Sequence, residues 1–186
     1  MSDTGFTELH TERLVLRRFR AADAATLAAY RSDPGVARYQ GWDAPFTAEQ
    51  ANSFIAALAD THPDTPGEWF QLAVTASGIH IGDVGICVDV DEPRLARVGF
   101  TLASDAHGQG YATEAVTAAL DYLFGRGKHR VSAECDPRNG ASVALLERLG
   151  MRREAHHRSS ARWKGEWTDE YVYAVLASEW SARHKG

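Results

Sequence analysis

The chain holds 186 residues, 44% hydrophobic and 24% charged, with a formal net charge of −5. A length of that order suits one domain that buries roughly 70% of its unfolded surface, and the composition excludes a disordered polar chain. The acidic balance argues against a broad nucleic-acid-binding face, no apolar run nears the roughly 18 residues of a membrane span, and residues 1–10 lack the apolar core of a signal peptide.

Residues 1–10 read as a flexible N-terminal extension, and residues 13–20 (RLVLRRFR) as a first strand, with Leu14 and Leu16 alternating against Val15, Arg17 and Phe19. Residues 21–32 place Ala24, Leu27, Ala28 and Arg31 at helical spacing, and Pro34 ends that helix by forcing Asp33 out of the helical region. Residues 35–46 read as a loop carrying Tyr39 and Trp42, aromatic residues that line a pocket or, more commonly, anchor a loop to the core. Thr47 and Gln50 fit a capping box that opens a helix with Ala51, Phe54, Ile55 and Leu58 on one face, ending near His62 and Pro63. Residues 69–75 and 79–90 form a hairpin around Ala76-Ser77-Gly78, with Val84, Ile86, Val88 and Val90 on one face and Asp83, Cys87 and Asp89 on the other. Residues 95–103 add a third strand, so the three form an antiparallel meander.

Next comes His107-Gly108-Gln109-Gly110-Tyr111-Ala112, which opens a helix with apolar positions at Ala115, Val116, Ala119, Leu120, Leu123 and Phe124. A strand, a glycine turn and a helix N-terminus in that order suit a phosphate, because glycine lets the backbone approach and the first N–H groups lack internal partners. A tight turn with a glycine hinge explains the same residues without a ligand. Gly125 and Gly127 end the helix, with Lys128 near its negative end. Residues 129–135 form a strand parallel to the one before the crossover helix. Asn139 caps a helix over residues 140–149 that buries Val143, Leu146 and Leu149, with Gly150 closing it. Two strands over 152–162 and 166–176 turn at Lys164-Gly165, and residues 177–184 form a frayed terminal helix. The order βααβββαβαββ describes one α/β (α+β) domain over residues 1–186, with a mixed, mostly antiparallel seven-stranded sheet and four main helices.

In this order the chain resembles the GNAT superfamily of acyl-coenzyme A-dependent N-acyltransferases, and within it the ribosomal-protein-alanine N-acetyltransferase (RimJ/RimL-like) branch. The resemblance rests on Thr11-Glu12-Arg13-Leu14-Val15-Leu16-Arg17, Ser32-Asp33-Pro34 and the 107–112 turn with Thr113-Glu114-Ala115. It rests further on Asn139, Ser142 and Leu149-Gly150-Met151, and on Gly165-Glu166-Trp167-Thr168-Asp169 with Tyr173 and Glu179-Trp180. It implies the GNAT fold, with main-chain N–H groups of Gln109, Gly110, Tyr111, Ala112 and Thr113 holding the pyrophosphate of acetyl-CoA. Gly108 shapes that loop, and His107 stands where the family carries Gln or Arg. The strands at residues 100–102 and 131–135 would splay around the pantetheine arm, whose amides pair with the backbone of Phe100, Thr101 and Leu102. Asn139 would cap its helix and contact the cofactor arm. A Rossmann reading of Gly108-Gln109-Gly110 fails, because the third glycine and a placed ribose-binding acid are missing.

Acyl transfer from a thioester to an amine needs a deprotonated amine, a stabilised carbonyl oxygen and a protonated or hydrogen-bonded thiolate. Donor and acceptor held together need no enzyme nucleophile, so Cys87 and Cys135 read as small buried hydrophobes of a reducing, cytoplasmic compartment. For the thiolate many family members use a Tyr on the helix after Asn139. Leu146 stands at that position, and the branch points to Ser142 instead, whose other reading is a helix-start serine bonding local backbone. The general base stays open among Asp83, Asp89, Glu134, Glu154, Asp169, His156, His157 and a water, because the fourth strand offers only Ala96, Arg97 and Val98 where relatives often carry Glu. The acceptor would enter opposite the cofactor, near Tyr39, Trp42, Trp69 and the Lys164-Gly165 turn. It is an amine, either a protein N-terminus or a small molecule. No histidine spacing signals a metal, no nucleic-acid or membrane partner is expected, and a homodimer is compatible with the sequence. The alternative function is a non-catalytic acyl-CoA-binding or sensing module on the same fold.

Overall fold

The computed structural model describes residues 6–183. Strands β1 (Glu8–His10) and β2 (Leu14–Arg18) pair antiparallel. A 3-10 turn (Ala21–Asp23) leads into α1 (Ala24–Ser32) and the short α2 (Pro34–Ala37), and α3 (Ala48–Leu58) follows. The meander is β3 (Trp69–Ala76), β4 (Ile79–Val88) and β5 (Leu95–Leu102). Helix α4 (Tyr111–Gly125) crosses over to β6 (Arg130–Cys135), parallel to β5. Then come α5 (Gly140–Arg148), the hairpin β7 (Arg152–Trp163) and β8 (Glu166–Leu176), and α6 (Ala177–Arg183). The sheet order is β1-β2-β3-β4-β5-β6-β8-β7.

The expected signals set these elements. Thr47 Oγ1 accepts from the Gln50 N–H at 3.1 Å and Gln50 Oε1 from the Thr47 N–H at 2.7 Å, closing the capping box of α3. Gly127, at φ 80°, follows the end of α4 in the left-handed region that favours glycine. On one sheet face α4 buries Ala115, Val116, Ala119, Leu120 and Leu123 against Leu16, Leu72, Ile86 and Val98. On the other, α1 and α3 bury Leu27, Tyr30, Ala51 and Ile55. With both faces covered, β4 is buried continuously from Gly82 to Val88, so its alternation does not sort into an inner and an outer face. Val90 lies beyond the strand and is exposed.

Several expectations need correction. Residues 8–10 are not an extension but an edge strand, which makes the sheet eight-stranded. Phe6 joins the core edge-on to the rings of Phe70 and Tyr122; residues 1–5 lie outside the described residues. Three residues are too few to show a period, which hid β1. The first residues of the expected 35–46 loop belong to α2 (Pro34–Ala37), which Pro34 opens and Asp33 caps by accepting from the Gly35 N–H. In α5 Leu145 is buried with Leu146 and Leu149, while Val143 is half-buried. Helix α6 is docked: Trp180 is buried and its Nε1 donates to Asp121 at 2.7 Å.

Candidate active site

Two neighbouring strands part company at the centre of the sheet. The β5–β6 ladder runs from Leu95↔Arg130 to Arg97↔Ser132 and ends there, although the strands continue to Leu102 and Cys135. Strand β5 stays on β4 through Gly82↔Leu102, and β6 stays on β8 through Cys135↔Tyr171. Gly82 lets the first pair close: a Cβ there would stand 2.2 Å from the Thr101 carbonyl oxygen. From Val98 onward the β6-facing edge of β5 pairs with no strand among the described residues. Phe100, Thr101 and Leu102 lie along this gap. Unpaired strand backbone of this kind pairs with an extended ligand that carries amides.

The phosphate-like turn closes one end of the gap. His107 turns its ring to the Leu102 carbonyl, with Nε2 at 2.9 Å, so it ties the turn to the end of β5. Gly108 and Gly110 have φ of 73° and 80°, and a Cβ on Gly108 would meet nothing within 4 Å. Gly110 is the N-cap of α4 and supplies no side-chain cap, so the first-turn N–H groups, including those of Tyr111, Ala112 and Thr113, face outward. About half a positive charge collects there. Gln109 donates its side-chain amide to the Asp105 carbonyl at 3.0 Å, which folds the turn on itself.

Sequence reasoning missed a clasp behind this turn. Glu114 would place a negative charge in the first turn of α4. Instead it accepts from Thr11 Oγ1 at 2.5 Å, the Arg13 N–H at 2.8 Å and Arg13 Nε at 2.7 Å. Burial pushes the Glu114 carboxyl up, but these bonds outweigh it and hold the group below its usual range. Arg13 also donates Nη1 to the Gln109 carbonyl at 2.9 Å and covers the Tyr111 ring at 4.6 Å. Both ends of the clasp stand in the sequence, but no local pattern joins residues about a hundred positions apart. From the opposite side Arg148 Nη1 donates to Thr113 Oγ1 at 3.3 Å.

Across the gap, Asn139 caps α5 by accepting from the Ser142 N–H at 3.2 Å. Ser142 is half-buried, and its Oγ makes no hydrogen bond among the described residues. Leu146 is fully buried. Burial pushes the Cys135 thiol up to about 11, with Asp136, Glu170 and Glu147 adding to it, so it stays protonated and a poor nucleophile at neutral pH.

On the α1 side of β6 lies a cavity of about 240 Å³, lined by Tyr39, Glu134, Cys135, Trp163, Thr168 and Glu170 among others. Of the three aromatic residues expected at the acceptor side, only Tyr39 lines it; its Oη donates to the Arg138 carbonyl at 3.2 Å. Trp42 anchors the 38–47 loop instead: Nε1 donates to the Arg31 carbonyl at 2.9 Å, and the Arg31 guanidinium lies 4.2 Å over its ring. Trp69 packs over Gly99, 38% exposed, away from the cavity. Lys164 latches the loop by donating to the Ala37 and Trp42 carbonyls, both at 2.7 Å. A larger open groove of about 530 Å³ between β1 and α4 borders neither the strand gap nor α5.

Most candidate bases have other partners. Tyr30 Oη donates to Asp83, buried beneath α1 with Arg31 Nη2 at 3.5 Å. Asp89 accepts from the Asp91 and Glu92 N–H groups, and Glu154 takes both arms of Arg130 at 2.9 and 2.6 Å. Asp169 accepts from the Ser159 N–H and meets His156 Nε2 at 2.6 Å. His157 stands opposite Glu170 in the β7–β8 ladder. Glu134 alone of the acids considered lines the cavity without a hydrogen-bond or ion-pair partner among the described residues.

Known proteins resemble this chain. Residues 13–152 match the family described as acetyltransferase (GNAT) domain. The "Uncharacterized N-acetyltransferase p20" of Bacillus licheniformis is 33% identical over 93% of this chain and 98% of its own length. The [ribosomal protein uS5]-alanine N-acetyltransferase of Escherichia coli is 26% identical over 93% of this chain and 92% of its own. The structure of Mycobacterium smegmatis RimJ in complex with CoA-disulfide superposes with a TM-score of 0.79 at 26% identity, covering 89% of this chain and 83% of that one. With the family matched across the strand gap, the glycine turn and α5, the chain belongs to the GNAT acetyltransferase family and is an acyltransferase.

Proposed function

We propose that this enzyme moves the acetyl group of acetyl-CoA to a primary amine by direct attack in a ternary complex. The observation that carries the reading is the β5–β6 ladder ending at Arg97↔Ser132 beside the uncapped start of α4. Together they offer a slot for an amide-bearing arm and a cradle for its phosphates. The N–H groups of Gln109, Gly110, Tyr111, Ala112 and Thr113 hold the pyrophosphate, and the backbone of Phe100, Thr101 and Leu102 pairs with the pantetheine amides. His107, bonded to Leu102 through Nε2, shapes this turn. Asn139 and Ser142 flank the thioester end.

In the reaction the acceptor ammonium gives one proton to a base or water, and its nitrogen attacks the thioester carbon. A C–N bond forms while a main-chain N–H of β5 stabilises the developing oxyanion. The C–S bond then breaks, and the sulfur takes the second nitrogen proton with Ser142 Oγ as hydrogen-bond donor. The products are the N-acetyl amine, the coenzyme A thiol and one released proton. Holding both reactants supplies the effective-molarity advantage, so no cysteine need carry the acyl group. Cys87 and Cys135, both free, suit the reducing cytoplasm.

Calorimetry with acetyl-CoA, followed by thiol release with a panel of amines, tests this reading. Binding and turnover are expected; absence of coenzyme A binding would end it. Buried Leu146 in place of a helix tyrosine favours one second reading, a non-catalytic acyl-CoA-binding module. Tight binding without turnover across the panel would select it.

A further inference from the structure

The cavity beside β6 has a chemistry of its own. Its roof is the loop carrying Tyr39, fixed by the Tyr39–Arg138 and Lys164–Trp42 bonds, and Trp163 of β7 forms part of the wall. Gly41 of the roof lies against the Trp163 ring, where an added Cβ would stand in ordinary contact at 3.5 Å. Glu134 faces Val172 in the β6–β8 ladder, and Glu170 lies two residues along β8 on the same face, so the two are diagonal neighbours. Neither carboxylate has a hydrogen-bond or ion-pair partner among the described residues. The nearby cations are engaged elsewhere: Arg138 by Asp136 and Glu166, Lys164 by two carbonyls and by Asp43 at 3.6 Å. Two neighbours able to carry a positive charge remain: the Arg38 guanidinium, 5.3 Å over the Tyr39 ring, and His157, opposite Glu170. Among the described residues no lysine or arginine lines the space.

We propose that this cavity receives an acceptor bearing a second cationic group, with its ammonium held by Glu134 and Glu170 beside the rings of Tyr39 and Trp163. This rests on the acetyltransferase reading, which places an amine on this side of the strand gap, and adds the class of amine. Two acids without a cation and two aromatic rings suit an ammonium better than a neutral or anionic group. Burial, then the Glu134 charge, pushes the Glu170 carboxyl up against an opposing pull from His157; a bound cation would offset the repulsion between the two carboxylates. The volume of about 240 Å³ equals that of about eight waters at roughly 30 Å³ each. A short aliphatic diamine fits it, and a folded protein surface does not. Cys135 and Asp136 line the cavity just before Asn139 and Ser142, so a nitrogen at the far end of such a chain points to the thioester end of the gap.

The test compares 1,4-diaminobutane with 1-aminobutane as acceptors of acetyl-CoA, alongside calorimetric titration of the diamine into the coenzyme A-saturated protein. A kcat/KM at least about tenfold higher for the diamine is expected, the worth of one charge-assisted contact. Its advantage should shrink with added salt. In Glu134→Gln with Glu170→Gln the preference and the diamine heat should both vanish; retained coenzyme A binding shows that the variant is folded. Equal rates for the two amines, a preference that survives both substitutions, or a faster reaction with an N-terminal alanine peptide overturns the proposal. The salt and monoamine comparisons need no variant. Diamine binding without turnover of any amine would sink the catalytic reading and leave this one standing; turnover without diamine preference would do the reverse.

Discussion

At Gly110 one side chain would meet three obstacles at once. The residue sits at φ 80°, caps α4 with backbone alone and lies beside the Arg13 guanidinium, 3.4 Å from the position of an added Cβ. Gly110→Asp would strain the left-handed backbone, fill the cradle and bring a negative charge to the phosphate. Coenzyme A affinity should fall at least about a hundredfold, combining lost charge-assisted bonds with new repulsion; undiminished binding in calorimetry would show that the turn holds no phosphate. Ser142 makes the contrasting case. Its Oγ has no partner among the described residues, so Ser142→Ala should cost little stability. Turnover should drop about tenfold with cofactor affinity kept, the effect of one lost hydrogen bond to a developing thiolate. Unchanged kcat would leave Ser142 without a part in the chemistry.

At the scale of elements, the 107–112 turn depends on a segment it does not adjoin in sequence. Arg13 precedes β2, yet it orients Glu114, Gln109 and Tyr111 at the start of α4. Arg13→Ala would leave Glu114 held by Thr11 and the residue-13 N–H but strip it of its neutralising guanidinium, and an uncompensated carboxylate in the first turn opposes a bound anion. The KM for acetyl-CoA should rise about tenfold with kcat at saturation little changed, because the charge lies at the phosphates and not at the reacting carbonyl. Arg13→Lys keeps the charge but loses the fork, and should recover part of the effect. A matched fall in kcat would point instead to a disturbed thioester site. The turn itself was legible in the sequence because its signals are local: a strand-like run, two glycines and a helix period. The clasp and the eighth strand were not. One is a contact between distant segments, and the other is a strand of three residues. Trp69 shows the same limit: its residue type suits a pocket wall, but its strand register sets it over Gly99.

For the whole molecule, the polar network between α1 and the sheet should make stability fall with acid. Arg17 holds Asp23 with two bonds at 2.8 and 2.9 Å, and the Arg20 N–H adds a third at 2.7 Å. His80 lies beside Asp23, with Nδ1 3.9 Å from Oδ1, Nε2 at 2.9 Å from the Gly82 carbonyl and its ring edge-on to Phe19 and Tyr30. Burial holds the imidazole below its usual 6.5 against the pull of Asp23. Burial also raises Asp23, but its bonds to Arg17 and Arg20 outweigh that and leave it below 3.8. Both folded-state values therefore lie below the unfolded ones, so the unfolded chain takes up protons first as pH falls. Stability from His80 is fully present above about 6.5 and is lost on acidification through its lower folded value, with a slope of at most about 1.4 kcal/mol per pH unit. The Asp23 contribution follows only below its unfolded value of 3.8. Denaturant unfolding at pH 7.5 and 5.0 should show the loss, and His80→Phe should flatten it while lowering stability at pH 7.5 through the missing Gly82 bond. An equal fall in both proteins would assign the effect to other histidines. The same network fixes α1 on the sheet, and the Trp42 anchor on Arg31 extends it to the acceptor loop. The acid that loosens His80 should thus weaken amine affinity before it weakens coenzyme A binding, and parallel titrations of the two ligands between pH 7.5 and 5.5 would reveal that order.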